Sequence, residues 1–287
     1  MTTARHHALI LTQAPTEPFG GIDPDDTHDI GHEAAEMRLD KARGKLAELH
    51  AKMKASETWA LLAIFQGMDA GGKDSAIAHI FGGLDPGALQ VTSFKRPSAM
   101  EALHDILWRE HQAVPHAGQW GIFNRSHYEN VLVPRVHPEN GPARRLPASL
   151  TGPNMWRDQL EDIVHFERML SRNGVKLCKF FLHISPEEQR KRLLARLDDP
   201  HKAWKFEAAD LIERQRWDAY QLAYQDVIAA TATPFAPWAV IPANSKPVAR
   251  ALMAEILVDQ LSGLDIAVPE PDPDVLRQAR QALDKAS

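Results

Sequence analysis

Lys73 closes a glycine-rich turn that has the spacing of a phosphate-binding loop. Gly67, four further residues, Gly72 and Lys73 give the pattern GxxxxGK. In such a loop the backbone N–H groups and the start of the next helix surround a phosphate, and the lysine reaches its oxygens. Asp74 stands where the usual motif places a Ser or Thr that binds magnesium. The residues predicted to bind phosphate here are Gly67, Ala70, Gly71, Gly72, Lys73, Asp74 and Ser75.

The segments on either side of this loop favour that interpretation. An apolar run of strand length, residues 60–66, precedes Gly67, and a helical run over 75–81 is stopped by two glycines. Strand, loop and helix in this order are the setting that the motif requires. The alternative, an ordinary glycine turn with a surface lysine, is disfavoured by this context.

A second predicted strand, residues 88–94, ends in a short basic segment. Ligands bind at the carboxyl ends of the strands in an open parallel sheet, so this segment is predicted to lie at the site. A solvated basic turn is the alternative. The segment consists of Phe94, Lys95, Arg96 and Pro97. Ser98 and Glu101 form a capping box that is predicted to open a helix through about residue 112.

A third predicted strand, residues 119–123, leads into Asn124 and Arg125. Phosphoryl-transfer enzymes with a P-loop usually carry an aspartate here that helps to hold magnesium, and this chain has Asn124 instead. Arg125 is predicted to be a site residue, because it follows the strand end with no acidic residue within two positions. Ser126 and Glu129 match a second capping box, so a structural and a catalytic role for Glu129 both stay open.

A helical hairpin is predicted after the fourth strand, residues 175–184. Ser185 and Pro186 begin its first helix, and the second helix is predicted over 207–230. Arg192 and Arg196 are four residues apart and so share one helical face, whereas the leucines at 193, 194 and 197 are predicted to face the core. Lys202 and Lys205 follow near the turn. A cationic hairpin of this kind, at about 186–230, is typical of a lid that closes on phosphate.

The alternation of strands and helices predicts the fold. Five strands, the last over 238–242, alternate with helices, which indicates a three-layer α/β/α protein with a five-stranded parallel sheet. A helix over about 33–55 precedes the first strand and another over 247–261 follows the last. We expect a lead-in with its helix at 1–55, a core at 56–262 that carries the lid, and a tail helix within 263–287.

Composition narrows the class of protein. The 287 residues carry a net charge of −5, which argues against a general nucleic-acid binder. The single cysteine, Cys178, lies in an apolar run and is expected to be a buried hydrophobe. No apolar run approaches the roughly 20 residues that span a bilayer, and no signal-peptide core is present. The expectation is a cytoplasmic enzyme without a membrane partner.

Six sequence blocks together resemble the polyphosphate kinase 2 family. They occur in the same order as in that family, over roughly residues 20–262. The form NRSHYE, with asparagine in place of aspartate, resembles its class III branch. The blocks are GMDAGGKD at 67–74, SFKRPS at 93–98, GIFNRSHYENVLVPRVH at 121–137, KFFLHISPEEQRKRL at 179–193, DPHKAWKF at 199–206 and APWAVIPANSK at 236–246.

The resemblance implies an activity and its requirements. It implies transfer of the terminal phosphoryl group of inorganic polyphosphate to a nucleotide, with both nucleoside mono- and diphosphates (AMP/ADP, GMP/GDP) as acceptors. It also implies dependence on Mg²⁺, with Mn²⁺ as an alternative, a thymidylate-kinase-like P-loop fold with a helical lid, and a homo-oligomer, either a dimer or a tetramer.

Under this resemblance each candidate residue receives a role. Lys73 and the loop amides would hold the transferring phosphate, with Arg125 on a phosphate beside it. Asp69 would be catalytic and hold the metal, because a carboxylate among phosphates repels them unless a cation lies between. Asn124 would contribute only a neutral carbonyl. Polyphosphate is assigned to Arg192, Arg196, Lys202 and Lys205, and the nucleotide to Asp69, Phe94, Lys95, Arg96, Pro97 and Glu129.

Two other classes of function remain alternatives at this stage. A conventional kinase could use ATP on a small acceptor with the same loop, although the density of lid cations favours a polyanionic donor. A non-catalytic nucleotide switch is disfavoured by Asp69 inside the loop and by the lack of a guanine-reading NKxD motif.

Overall fold

The structure is a computed structural model that describes residues 6, 8–140, 146–201, 203–206 and 209–285. Lys202, one of the predicted lid cations, lies outside the described residues, and so does the side chain of Lys205. Within the described residues, no helix is long and apolar enough to cross a membrane.

A six-stranded mixed sheet forms the centre of the protein. Its strands lie in the order β1-β6-β5-β2-β4-β3, and all pairings among β2 to β6 are parallel. The strands are β1 (Ile10–Leu11), β2 (Ala60–Gln66), β3 (Leu89–Ser93), β4 (Trp120–Asn124), β5 (Val175–His183) and β6 (Trp238–Pro242). The five predicted strands are present, but the predicted total of five is wrong. The additional strand, β1, pairs antiparallel with β6 and has only two residues, too few to produce a periodic pattern.

Two groups of helices cover the two faces of the sheet. The helices are α1 (His32–Ser56), α2 (Lys73–Phe81), α3 (Trp108–Gln112), α4 (Glu129–Val136), α5 (Met155–Arg172), α6 (Pro186–Asp198), α7 (Ala209–Gln215), α8 (Trp217–Thr231), α9 (Lys246–Ser262) and α10 (Pro273–Lys285). Helices α1, α2 and α9 pack together, as do α4, α5 and α8. Neighbouring residues of β5 point to opposite groups: Phe181 contacts Tyr224 of α8, and Phe180 contacts Phe65 below α2.

Two predicted helices differ from the observed ones. The capping box at Ser98 and Glu101 does form, with Ser98 N donating to Glu101 Oε2 at 2.7 Å, but it opens only a short 3-10 turn. Asp105 then accepts from Leu107 N at 2.9 Å, an Asx turn that competes with a continuing helix. The predicted helix over 207–230 is divided into α7 and α8 at Arg216, whose guanidinium donates to Val136 O at 2.7 Å.

The register of the central strands brings two loops together. Phe65 of β2 is paired with Asn124 of β4, so the two parallel strands end side by side. The loop after β2 contains the GxxxxGK pattern, and the loop after β4 begins with Arg125. Every residue of β2 is buried, which fixes the base of the first loop in the core. The carboxyl edge of the sheet therefore positions both groups of predicted site residues.

Candidate active site

The loop after β2 has the backbone conformation of a phosphate cradle. Three of its residues have positive φ: Gly67 at 149°, Ala70 at 60° and Gly72 at 103°. Gly67 also lies so close to β5 that a Cβ atom would be 2.9 Å from the carbonyl oxygen of Leu182. Side chains other than hydrogen are therefore excluded at Gly67 by backbone on the neighbouring strand, which explains the glycine that begins the motif.

All six carbonyl groups from Gly67 to Gly72 accept hydrogen bonds from the protein. Lys73 Nζ donates to the first two, at 2.6 and 3.1 Å, and Gln189 Nε2 donates to Asp69 O at 3.0 Å. Arg192 Nη1 donates to the carbonyls of residues 70 and 71, at 3.2 and 2.8 Å, and the amide of Ala76 donates to the last at 2.9 Å. The loop's negative dipole ends thus point at protein donors, which favours an anion on the amide side.

Arg192 holds this loop from the α6 side. Besides its bonds to the loop, its Nη2 donates to the carbonyls of Ala243 and Asn244 after β6, at 2.5 and 3.1 Å, and its Nε donates to Glu188 at 2.7 Å. The residue is 7% exposed. The prediction that Arg192 and Arg196 assemble one positive face does not hold for Arg192, because its guanidinium is used by backbone carbonyls and one carboxylate.

The leucines of α6 also depart from the prediction. Leu193 is buried as expected, but Leu194 and Leu197 are 44% and 45% exposed. Arg196 is partly buried on the same helix. The face of α6 that meets the protein carries Gln189, Arg192 and Leu193, since residues three and four apart on a helix lie together.

Lys73 is enclosed by the loop that it follows. It is 7% exposed, and burial lowers the pKa of its ammonium group, with a further lowering by the charge of Arg125. A bound phosphate would place a further negative charge beside this buried ammonium. Ser75, one turn into α2, accepts a hydrogen bond at 2.6 Å from Arg250 of α9, so its hydroxyl is directed to the protein in this structure.

Arg125 is the central cation of the loop after β4. Its φ is 62°, which is uncommon for a residue with a side chain and is typical of strained functional positions. Its Nη2 lies 2.5 Å from Asp69 Oδ1 and its Nη1 lies 3.6 Å from Glu129 Oε2. The nearby charge of Glu129, and then that of Asp69, raise the pKa of the guanidinium above its ordinary value. Arg125 thus joins the two loops.

Glu129 does not form the predicted capping box. Ser126 Oγ accepts from the amide of Tyr128 at 3.3 Å, and the amide of Glu129 donates to the carbonyl of Ser126 at 3.0 Å. The carboxylate of Glu129 faces Arg125 instead. The capping interpretation of Glu129 is therefore wrong, and its position beside the site cation is the one the structure supports.

The acidic residues near the cradle are also held by partners from the second loop. Asn124 Nδ2 donates to Asp74 Oδ1 at 2.6 Å, and Asp69 contacts Arg125. Among the described residues, no group of three or more His, Cys, Asp or Glu side chains could hold a metal ion. Asp69 and Asp74 thus offer two carboxylates, a donor set that suits an ion completed by substrate oxygens and water.

The basic segment after β3 lies at the outer part of the sheet edge. The ring of Phe94 is buried against Phe123, with 4.8 Å between ring centroids, and the guanidinium of Arg109 lies 5.2 Å from its centroid. Arg109 also donates to Lys95 O at 2.7 Å. Lys95 and Arg96 are exposed and Pro97 is partly buried. In this structure Phe94 packs in the core, so its ring is not presented for stacking.

Two residues that hold the site were not found from the sequence. Gln189 Nε2 contacts Asp69 O, and its Oε1 accepts from Arg214 Nη1 at 2.7 Å. Arg214 of α7 also donates to Pro186 O at 2.9 Å, so it joins the two arms of the predicted lid near their base. The spacing of Gln189 and Arg192 on one helical face was the available signal. That spacing does not show which side of the helix contacts the loop.

Comparisons of the sequence with known proteins and protein families identify similar chains. A family model described as polyphosphate kinase 2 matches residues 29–268. An ADP-polyphosphate phosphotransferase of Rhodopseudomonas palustris is 43% identical over 243 residues, which cover 83% of this chain and 84% of the relative. An AMP/ADP-polyphosphate phosphotransferase of Meiothermus ruber is 44% identical over 253 residues, with coverage of 88% and 91%.

A solved structure is also similar to this protein. The crystal structure of polyphosphate kinase 2 from Arthrobacter aurescens TC1 superposes with a TM-score of 0.86 at 38% sequence identity. The match covers 96% of this chain and 95% of that one. Because the family model and these relatives span most of the chain, and the cradle and the Arg125 loop lie within the matched residues, this protein belongs to the polyphosphate kinase 2 family.

Proposed function

We propose that this protein transfers the terminal phosphoryl group of inorganic polyphosphate to nucleoside mono- and diphosphates, reversibly. The observation that carries the proposal is the cradle at 67–72, in which every carbonyl accepts a hydrogen bond and Lys73 is buried behind the loop. The names of the two relatives, with ADP or with AMP and ADP as acceptors, support both classes of acceptor.

Charge neutralisation is the main task of such a site. Donor and acceptor are both polyanions, and their approach requires positioning and cations more than covalent chemistry by the protein. Lys73 acts as a point charge inside the cradle, whereas the planar guanidinium of Arg125 can hold two phosphate oxygens. Arg125 contacts Asp69 in this structure, so phosphate binding would compete with that ion pair.

The carboxylates fit a divalent cation, which we propose to be Mg²⁺, with Mn²⁺ as the alternative. Asp69 is partly exposed and already holds a positive group, the Arg125 guanidinium, and Asp74 is exposed at the start of α2. When bound, the cation would neutralise charge on the phosphate oxygens. Asp69 would hold it on the cradle side, and Asn124 orients Asp74 by donating to its carboxylate.

The nucleotide and the polyphosphate occupy different parts of the site in this proposal. The nucleotide lies over the ends of β2 and β3, near Lys95, Arg96 and Pro97, with Glu129 and Asp69 on its phosphate side. Phe94 supports that segment from within the core. Polyphosphate follows the lid cations Arg196, Lys202 and Lys205. Arg192 contributes to polyphosphate binding through the loop carbonyls that it holds.

Several broader features complete the proposal. The observed order of the parallel strands supports a thymidylate-kinase-like arrangement, with a lead-in at 1–55, a core at 56–262, a lid at about 186–230 and a tail at 263–287. We propose a cytoplasmic homo-oligomer, dimeric or tetrameric, with no nucleic-acid or membrane partner. ATP-dependent phosphorylation of a small acceptor is the competing function at this site.

A substrate-omission assay tests the proposal. The purified protein is incubated with Mg²⁺ and long-chain polyphosphate, with AMP, ADP, GMP or GDP as acceptor, and without ATP. Formation of the next higher phosphate of each nucleotide is expected, measured by ion-exchange chromatography, and Lys73→Met is the inactive control. Turnover only when ATP replaces polyphosphate would contradict the proposal and favour the conventional kinase.

A further inference from the structure

A cluster of buried polar side chains lies beneath the loop that follows β4. Lys179 of β5 and Glu167 of α5 form an ion pair, with Nζ and Oε2 2.7 Å apart. The hydroxyl of Tyr128 donates to Glu167 Oε1 at 2.6 Å. These three residues are at most 1% exposed. None of them belongs to the cradle or to the site residues described above.

The cluster connects five parts of the fold. Lys179 Nζ also donates to the Tyr128 hydroxyl at 3.0 Å and to Thr231 O, at the end of α8, at 2.9 Å. Thr231 Oγ1 accepts in turn from Trp238 Nε1 of β6 at 2.9 Å. Burial acts to raise the pKa of the Glu167 carboxyl, but Lys179 and the neighbouring His127 together lower it below its ordinary value. Burial also lowers the pKa of the Lys179 ammonium, and the charge of Glu167 acts against that lowering.

Stability is a poor explanation for such a pair. Removing two charges from water is costly, and replacement of a buried ion pair by apolar residues of similar volume is often neutral or stabilising. What a fully hydrogen-bonded network does provide is one defined arrangement of the groups that it joins. Here the joined group is Tyr128, which lies in the chain between Arg125 and Glu129.

The backbone around Tyr128 carries the site residues, and the amide of Arg125 at its start donates to Phe65 O at 3.0 Å. Arg125 has a left-handed φ of 62°, and only one turn of chain separates it from Glu129, the carboxylate that faces it. A shift of the Tyr128 ring would move both ends of this turn relative to Asp69. The ring is held at its hydroxyl by Glu167 and Lys179, and Lys179 lies on β5, the strand next to β2.

We infer that Lys179, Glu167 and Tyr128 are positioning residues for phosphoryl transfer, which fix the loop at 125–129 so that Arg125 reaches Asp69 and the transferring phosphate. The inference rests on the proposed function and adds to it a buried support that contacts no substrate. It assigns these residues an effect on kcat, because they act on geometry at the reacting centre and not on the binding of the polyphosphate chain.

Two variants test the inference. Tyr128→Phe removes one hydroxyl, and the triple variant Lys179→Met/Glu167→Leu/Tyr128→Phe replaces the whole cluster by apolar groups. In both we expect kcat to fall about 10- to 100-fold, since small displacements at the reacting centre have effects of this size. The KM for polyphosphate should stay within about twofold, as expected when ground-state binding is unchanged. The triple variant should melt near the wild-type temperature.

A matched control separates positioning from general damage to the core. Leu46 is fully buried in α1, on the other face of the sheet, and Leu46→Ala should lower the melting temperature while kcat at a temperature well below melting is retained. A triple variant that melts like the wild type and retains its kcat would overturn the inference. If the triple variant does not fold, Tyr128→Phe decides in the same way.

Hydrogen exchange gives a readout that does not depend on the reaction. The amides of residues 124–130 should exchange faster in both variants than in the wild type, with residues 67–72 unchanged. Unaltered exchange at 124–130 would overturn the inference even with an inactive enzyme. If the wild type shows no transfer from polyphosphate, the proposed function fails, and the exchange experiment still tests whether the cluster positions the loop.

Discussion

The loops after β2 and β4 end on neighbouring strands but are held in different ways. The cradle at 67–72 is held by hydrogen bonds to its own backbone, donated by Lys73, Gln189 and Arg192. The loop at 125–129 is held by the amide of Arg125, which donates to Phe65 O at 3.0 Å, and from below by Tyr128, whose hydroxyl reaches a buried ion pair. Both loops contain a residue other than glycine with positive φ, Ala70 and Arg125.

The difference separates two requirements of a phosphate site. The cradle must present amides to an anion, so the protein occupies its carbonyls from outside, using side chains that include those of α6, the first helix of the proposed lid. The loop at 125–129 must position the long cationic side chain of Arg125 accurately. The protein therefore fixes the backbone of this loop through the buried cluster beneath it. We therefore expect changes in the cradle support to affect substrate binding most, and changes in the second loop to affect the rate of transfer.

The largest expected effect comes from the second loop itself. Arg125→Gln removes the cation that we propose to lie beside the transferring phosphate but keeps a polar side chain. By analogy with arginines that stabilise phosphoryl transfer, kcat should fall about 1,000-fold. Steady-state kinetics with polyphosphate and ADP measure this, with Arg135→Gln on the exposed side of α4 as the control. A loss seen only in KM would contradict the assignment of Arg125 to the transfer step.

Asp69→Asn tests the contact between the two loops. The variant keeps the shape of the side chain but removes the charge that pairs with Arg125 and is proposed to hold Mg²⁺. We expect a loss of transfer activity of about 100-fold at saturating Mg²⁺, the size typical for one electrostatic group in an active site. Near-full activity under these conditions would show that Asp69 is not the metal-holding carboxylate.

Arg192→Lys tests the support of the cradle by α6. A lysine cannot donate simultaneously to the carbonyls of the cradle and to those of Ala243 and Asn244 after β6, so the cradle should loosen. We expect the KM for polyphosphate to rise about tenfold, with a smaller change in kcat, because loss of binding common to ground and transition states changes KM. Arg190→Lys is the matched control two residues earlier, on the exposed face of α6. An equal effect of the two substitutions would contradict the positioning of the cradle by Arg192.

The smallest effect concerns the strand edge that supports the cradle. Burial lowers the pKa of His183, at the end of β5, to about 4. The unfolded chain takes up this proton near pH 6.5, so stability should be lost as the pH falls from about 6.5 towards 4, and this loss should be complete below about 4.

Denaturant unfolding of the wild type and His183→Gln at about pH 7.5 and pH 5 measures this contribution. The wild type should lose about 1–2 kcal/mol more than the variant on acidification. Equal losses in the two proteins would show that His183 does not stay neutral in the fold.

The sequence predicted the parts of the fold that are fully buried or have strong boundary signals. Strands β2, β5 and β6 are long apolar runs, and Ser185 does cap α6 by accepting from Glu188 N at 3.1 Å. The helix predicted to continue from Ser98 to about residue 112 does not form. A capping box is only a local signal, and the Asx turn at Asp105 interrupts the helix that the box would begin. Strand β1 was not predicted, because it has only two residues and is defined by its pairing with β6.

The site residues that could be predicted from the sequence are likewise those with a local signal. Glycine spacing located the cradle, because that constraint is local to the backbone. The environment of Arg192 could not be predicted, since spacing places a residue on a helical face without showing what that face contacts. The support of Tyr128 by Glu167 and Lys179 brings together residues up to 51 positions apart, and no local sequence pattern indicates that they are in contact.

The hydrogen-bonded carbonyls of the cradle affect the small cations that accompany polyphosphate. Polyphosphate in solution carries a shell of small cations. A loop with free backbone oxygens could coordinate some of them, but here the oxygens from Gly67 to Gly72 are already hydrogen-bonded. A polyphosphate segment that binds in the cradle as proposed would therefore release its monovalent ions into the solvent, and polyphosphate affinity should decline steeply with rising salt, as for other polyelectrolytes.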